Sequence, residues 1–278
     1  LGYSLVALQG VFSFTCIFWT WYFVKRAIVK TSQPIFLIMI AIGCFMIVLS
    51  IIPIGIQGGY RYVIDDNTGL ETEELNDNIG RLDAACMAWP WVYFLGFSLT
   101  FSSLFAKLWR IKKIFSAGAN FQRTVVQAKD VYYIIIILVG LNVAFMLIWQ
   151  FVAPLQWHRN VLDTAFGFAI ESVGECRPKN TWGWYLAIPP VAFEIIVLIY
   201  SLIIAYQARK VPSGLAEKKW ILFSVVAIFE LALLGVPILV ISRDNSSTYY
   251  FVRAVILFLQ GFTVSVLIFL PKMFMLHL

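Results

Sequence analysis

The chain has 278 residues, 61% of them hydrophobic and only 13% charged, with a mean hydropathy of +0.84 and a formal net charge of +6. Charge is about half the ~25% usual in a soluble domain, so the composition is that of a membrane protein. The basic excess sits in short loops between apolar runs, without a basic face or a nucleic-acid-binding motif, so it reads as topological and no nucleic-acid partner is expected.

Runs with little or no charge fall at 1–24, 34–56, 86–106, 131–153, 181–206, 220–242 and 249–270. Each has 21 to 26 residues, long enough to cross a ~30 Å hydrocarbon core as a helix with some tilt and too long for barrel strands. The expected fold is an all-α membrane protein, a bundle of seven transmembrane helices. Leu1 lies inside an apolar run with no initiator Met, charged n-region or cleavage site. Residues 1–24 are therefore expected to be a helix rather than a signal peptide, with further chain upstream.

The loops set the orientation. Those after spans 1, 3 and 5 carry thirteen Lys and Arg, beginning with Lys25, Arg26 and Lys30, whereas those after spans 2, 4 and 6 carry six, together with eleven acids. The positive-inside rule then predicts the amino end outside and the carboxyl end in the cytoplasm. Trp19, Trp21, Trp89, Trp91, Trp157, Trp182, Trp184 and Trp220 lie near span ends, as interface anchors do.

The second loop, 57–85, holds seven acids, but its DDNTGLETEELND run lacks the ligand spacing of a calcium loop, so a solvated acidic loop is expected. The third span changes character along its length. It opens at Cys86, continues for about 20 uncharged residues from Ala88 to Ala106, and ends in Lys107, Arg110, Lys112 and Lys113, which need an aqueous surface. Cys176 falls in the 153–180 loop on the same predicted outer side as Cys86, and a disulfide between them is expected. Cys16 and Cys44 read as buried thiols. Asn245-Ser246-Ser247 is a glycosylation sequon set close to the membrane, where modification is hindered.

The two histidines, His158 and His277, form no metal cluster and no nucleophile-base pair, so neither a metal nor any other cofactor is expected, and no enzyme activity. Span 7 has no lysine before Lys272, which excludes a retinal Schiff base deep in that helix. The ionisable residues inside spans are Glu194, Glu230 and Arg253. Such residues are functional candidates; the plainer alternative has the acids hydrogen-bonded to neighbouring helices and Arg253 snorkelling to the outer surface.

The run Phe105-Ala106-Lys107-Leu108-Trp109-Arg110-Ile111-Lys112-Lys113-Ile114-Phe115 resembles the end of helix 3 in metabotropic GABA-B receptors. Trp149-Gln150 with Pro154-Leu155 is similar to that family's helix 4 end, and Glu175-Cys176 resembles its outer-loop cysteine. Ala205-Tyr206 with Arg209 and the Leu215–Ile221 segment resemble the helix 5 to helix 6 connection. Arg243-Asp244 and Phe269-Leu270-Pro271-Lys272 resemble the outer end of helix 6 and the close of helix 7. The likeness covers about 86–272, while spans 1 and 2 match only generally. Glu194 stands where the family's helix 5 is expected to carry a lysine, and Gln207 replaces an acid.

The resemblance implies a class C G-protein-coupled receptor domain at the plasma membrane, with a heterotrimeric G protein and a second receptor subunit, in a homo- or heterodimer, as partners besides membrane lipids. It also implies a large extracellular ligand-binding domain, absent from this chain. Lys107 and Glu217 are implied to form an ionic lock across helices 3 and 6, and Arg110, Lys112, Lys113, Arg209, Lys210 and Lys218 to face the G protein. The alternative is a seven-helix carrier or channel in which Glu194 and Glu230 line a polar path; a carrier needs the acids to face a water-filled cavity open alternately to both sides, whereas a receptor needs a closed core and a basic cavity facing the G protein. A third reading is a non-signalling subunit that supports trafficking of a heterodimer.

Overall fold

With no water in the bilayer core, backbone polar groups must pair within their own segment, so apolar runs of this length form helices. In the computed structural model of the chain, which describes residues 1–56, 60–64, 71–75, 79–119, 128–165, 168–208, 217–242 and 246–277, seven helices are long and apolar enough to span a membrane. Helix α1 covers Gly2–Tyr22 and leads through a single turn, α2 (Ala27–Thr31), to α3 (Pro34–Leu49). Gln33 makes that corner with a left-handed backbone, φ 57°. Pro34 can follow because the first helical position needs no N–H partner. Ser50 joins α3 to a short α4 (Ile51–Ile54).

Outside the helical spans the chain adds two hairpins. Strands β1 (Tyr60–Ile64) and β2 (Glu71–Leu75) pair antiparallel within the acidic second loop, with Tyr60 opposite Leu75. Strands β3 (Leu155–Ala165) and β4 (Phe168–Pro178) form a longer hairpin, with Leu155 opposite Pro178 and a register shift at Val161/Asp163. The third span is longer than its charge-free stretch. Helix α5 runs unbroken from Ile79 to Ala119, because Arg81 and Asp83 at one end and the lysines at the other lie beyond the apolar stretch. The remaining helices are α6 (Ala128–Val152), α7 (Ile188–Ala208, preceded by a 3-10 turn at Thr181–Ala187), α8 (Glu217–Ile241) and α9 (Ser246–His277).

The core lies between α1, α3, α5 and α9, where Leu37, Ile40, Ile47, Leu104, Leu108 and Phe269 are almost fully buried. Between α3 and α5 the backbones themselves touch. A Cβ on Gly43 would lie 2.7 Å from the Gly96 carbonyl oxygen, and one on Gly96 would lie 2.8 Å from the Gly43 carbonyl oxygen, so only hydrogen fits at either position. Small residues that admit close approach are the usual device where lipid supplies no hydrophobic drive between helices. Polar side chains tie the other neighbours together. Trp91 Nε1 donates to Gln150 Oε1 at 3.1 Å between α5 and α6, and Gln9 Nε2 donates to Ser265 Oγ at 3.1 Å between α1 and α9. On the outside, Ile136 of α6, Ile196 of α7 and Leu234 of α8 are more than half exposed, as lipid-facing side chains must be.

Candidate functional site

At one end of the bundle, three contacts fasten the β3–β4 hairpin to the first turns of α5. Cys86 and Cys176 are joined by a disulfide, with Cα atoms 5.5 Å apart. Asp83 Oδ1 accepts a hydrogen bond from the Trp157 backbone N–H at 2.7 Å, and Met87 Sδ accepts one from the Leu155 N–H at 3.2 Å. Cys86, Met87 and Leu155 are nearly inaccessible and form a small core of their own with Phe94, Met146 and Trp149. The hairpin and the top of α5 therefore make one solid piece.

Below that piece, α5, α7, α8 and α9 enclose a cavity of about 390 Å³. Its walls are mainly apolar and aromatic, among them Phe94, Phe97, Leu198 and Ile228, with Tyr93, Glu194, Arg253 and Gln260 as polar groups. The Arg253 guanidinium sits over the Trp89 ring, 4.1 Å from its centroid, and 5.9 Å from that of Tyr249. It does not snorkel to the outer surface, because the indole face supplies a local partner; a desolvated cation–π contact is worth about 2 kcal/mol. Among the described residues no carboxylate lies within ion-pair range of Arg253. Glu194 Oε1 instead accepts from Asn142 Nδ2 at 3.0 Å, tying α7 to α6. The Tyr93 hydroxyl donates to Gln260 Oε1 at a long 3.5 Å, between α5 and α9. The cavity thus carries a cation and a carboxyl group that are held on separate partners.

Glu230 is not in this cavity. It lies on the exposed face of α8, next to the exposed Phe229, so Glu194 and Glu230 line no common path. A carrier route built on the two acids has no basis in this geometry.

At the far end of α5, Lys107 is only 5% exposed, and Lys272 of α9 only 3%. Arg110 and Lys112 are half-buried, and Lys113 is exposed with its Nζ 4.6 Å from the Trp109 ring centroid. The bundle therefore presents a partly sunken basic surface at this end. Arg209 and Lys210 lie outside the described residues, as does Asn245, and so do the side chains of Glu217 and Lys218 in the first turn of α8. The pairing expected for Lys107 with Glu217 is thus not among the described contacts.

Over residues 1–272 the sequence matches the family described as "7 transmembrane sweet-taste receptor of 3 GCPR". The chain belongs to this family, the class C G-protein-coupled receptor transmembrane domains. It is 24% identical to gamma-aminobutyric acid type B receptor subunit 1 of Rattus norvegicus over 97% of this chain and 27% of that protein. It is 22% identical to gamma-aminobutyric acid type B receptor subunit 2 of Caenorhabditis elegans over 98% of this chain and 31% of the relative. Metabotropic glutamate receptor-like protein E of Dictyostelium discoideum is 26% identical over 68% of this chain and 22% of its own length. The chain thus spans about a quarter of the curated relatives it matches. Coupling to G proteins is the general function of the class C family, whose members are receptors and not enzymes. The GABA-B-like character expected from the helix-end motifs agrees with these relatives.

In this class C domain the disulfide cysteines and the mid-span residues Glu194 and Arg253 are brought to the hairpin half of the bundle. Trp89, Tyr93, Asn142 and Gln260 were not singled out as site residues from sequence. Trp89 and Tyr93 are four apart on one helix, and Asn142 is an amide inside an apolar span; both are signals a pattern reading can use.

Proposed function

We propose that the chain is the signal-relaying transmembrane domain of a GABA-B-like class C receptor at the plasma membrane, with the hairpin end outside and the carboxyl end in the cytoplasm. It passes an event in an extracellular ligand-binding domain, or in a second receptor subunit, to a heterotrimeric G protein at the basic end. Arg110, Lys112, Lys113, Arg209, Lys210 and Lys218 face the G protein in this reading, and Lys107 with Glu217 holds the quiet state. The observation that supports it is the continuity of α5. One unbroken helix is bonded to the outer hairpin at Cys86 and delivers Lys107 and Arg110 to the opposite face. A displacement of the hairpin therefore has one continuous helix to follow, with Pro90 as its interior bend point between Cys86 and Lys107.

The experiment is guanine-nucleotide exchange on purified G protein by membranes that carry the receptor subunit, alone and with candidate class C partner subunits. Exchange above that of mock membranes, abolished by reversing the charges of Arg110 and Lys112, is the expected result. Exchange indistinguishable from mock with every partner, from protein present at the cell surface, would overturn the signalling role and leave a subunit that only supports assembly.

A further inference from the structure

The segment joining α1 to α3 carries Lys25, Arg26 and Lys30, all three exposed, and no acidic residue occurs before position 65. Arg26 has an extended backbone (φ −72°, ψ 141°) and opens the turn α2; its carbonyl oxygen accepts from the Lys30 N–H at 2.9 Å. Residues four apart in such a turn stand on the same side of it. Val29, between them, is completely buried and belongs to the main core, so the turn is seated against the bundle and its cations are directed away from it. Next to them, α1 ends in a collar of exposed rings: Phe18, Trp21 and Tyr22 are each more than 60% exposed. Exposed Trp and Tyr at a span end mark the headgroup level of a bilayer. Because these exposed rings mark where α1 leaves the hydrocarbon, the three cations that follow it within eight residues are set at the depth of lipid phosphates.

We infer that this turn is a binding site for the headgroup of a polyphosphorylated inositol lipid. Three cations within six residues, with no acid in the first 64 residues and no ion pair to them among the described residues, match a ligand that presents several phosphates on one ring. A lipid with a single phosphodiester engages them only one at a time. Each cation near an anionic surface contributes roughly fivefold in affinity, and phosphates gathered on one ring let all three cations act on the same lipid. The inference rests on the proposed orientation only for the leaflet in which the lipid is met. Both faces of a nanodisc are accessible, so an inverted topology leaves the binding measurement unchanged while a wrong site abolishes it.

The test uses the protein in nanodiscs that contain phosphatidylinositol bisphosphate, or phosphatidylserine at matched total charge, with lipid occupancy read by native mass spectrometry. The expected result is a preference for the bisphosphate that falls at least about tenfold in the variant K25Q/R26Q/K30Q. The preference should persist in K25R/K30R and in R81Q/R177Q/K179Q, which removes the same charge at the hairpin end. Equal occupancy by phosphatidylserine, or an unchanged preference in the triple variant with a wild-type melting curve, overturns it. If the triple variant fails to assemble, K25Q and K30Q are measured singly, and no loss in either also overturns it.

Discussion

Replacing Gly43 by Ala places a methyl group between two backbones that already touch. The new carbon would lie 2.7 Å from the Gly96 carbonyl oxygen and 2.8 Å from the Thr100 nitrogen, against an ordinary contact of at least 3.4 Å. Both neighbours are main-chain atoms of a helix and cannot rotate aside, so α3 and α5 must separate by about 0.7 Å. Overpacking of this kind costs about 1–3 kcal/mol, and the better helix propensity of Ala returns up to ~1 kcal/mol. The net loss is about 1 kcal/mol, which for a chain of this size lowers the melting temperature by roughly 2–4 °C. The protein supplies its own reporter. Cys16 and Cys44 are buried free thiols, and Cys44 adjoins Gly43 with its Sγ 3.9 Å from Thr100 Oγ1, so a thiol-reactive fluorophore in detergent reads the opening of this interface. Gly140→Ala is the control, since a Cβ there meets nothing within 4 Å and should melt at or above the wild-type temperature. Gly43→Ala melting with the wild type, or Gly140→Ala falling as far, would refute the argument from backbone contact.

Asn142→Leu removes the donor to Glu194 and leaves a carboxyl group on the cavity wall without its hydrogen bond, at a cost of about 1–3 kcal/mol. The same thiol assay should show the loss, and the second change Glu194→Leu should recover much of it; equal melting of Asn142→Leu and wild type counts against the tie. For the proposed lock, Lys107→Ala or Glu217→Ala should raise ligand-independent nucleotide exchange, and exchanging the two residues should restore much of the quiet state. Unchanged basal exchange in both single variants, at normal surface levels, would refute the pair as the element that holds the quiet state.

The seven spans were legible because lipid forces a long apolar run to be a helix, and the Cys86–Cys176 pairing because both cysteines fall on one predicted side. The hairpins were not, since β3–β4 is held by backbone pairing and by contacts such as Asp83 with the Trp157 N–H that join residues distant in sequence. The positions of the intramembrane charges were equally hidden. Glu194, Glu230 and Arg253 look alike as isolated ionisable residues in apolar runs, and only helix rotation sends the first and third to a cavity and the second to the outer surface. For α7 and α9 that rotation goes with the hydrogen bonds Asn142–Glu194 and Tyr93–Gln260 to neighbouring helices, a property of packing between helices rather than of any one span.

The same packing bears on how α5 can move. Its hairpin end is fixed covalently at Cys86, its middle is held against α3 at Gly96, and its far end carries Lys107 almost fully buried. A helix clamped at its centre by backbone contact cannot translate toward α3 without a clash, but it can tilt or turn about that point, so displacements at its two ends are opposite in direction. The cavity lies on the hairpin side of the contact, between α5 and the less buried α7 and α8. Arg253 of α9, stacked on Trp89 of α5, joins that side of α5 to the last helix. The hairpin and the basic end are thus the two ends of one helix, α5, interrupted by Pro90 and pinned to α3 at Gly43 and Gly96, and Gly43→Ala loosens that contact directly.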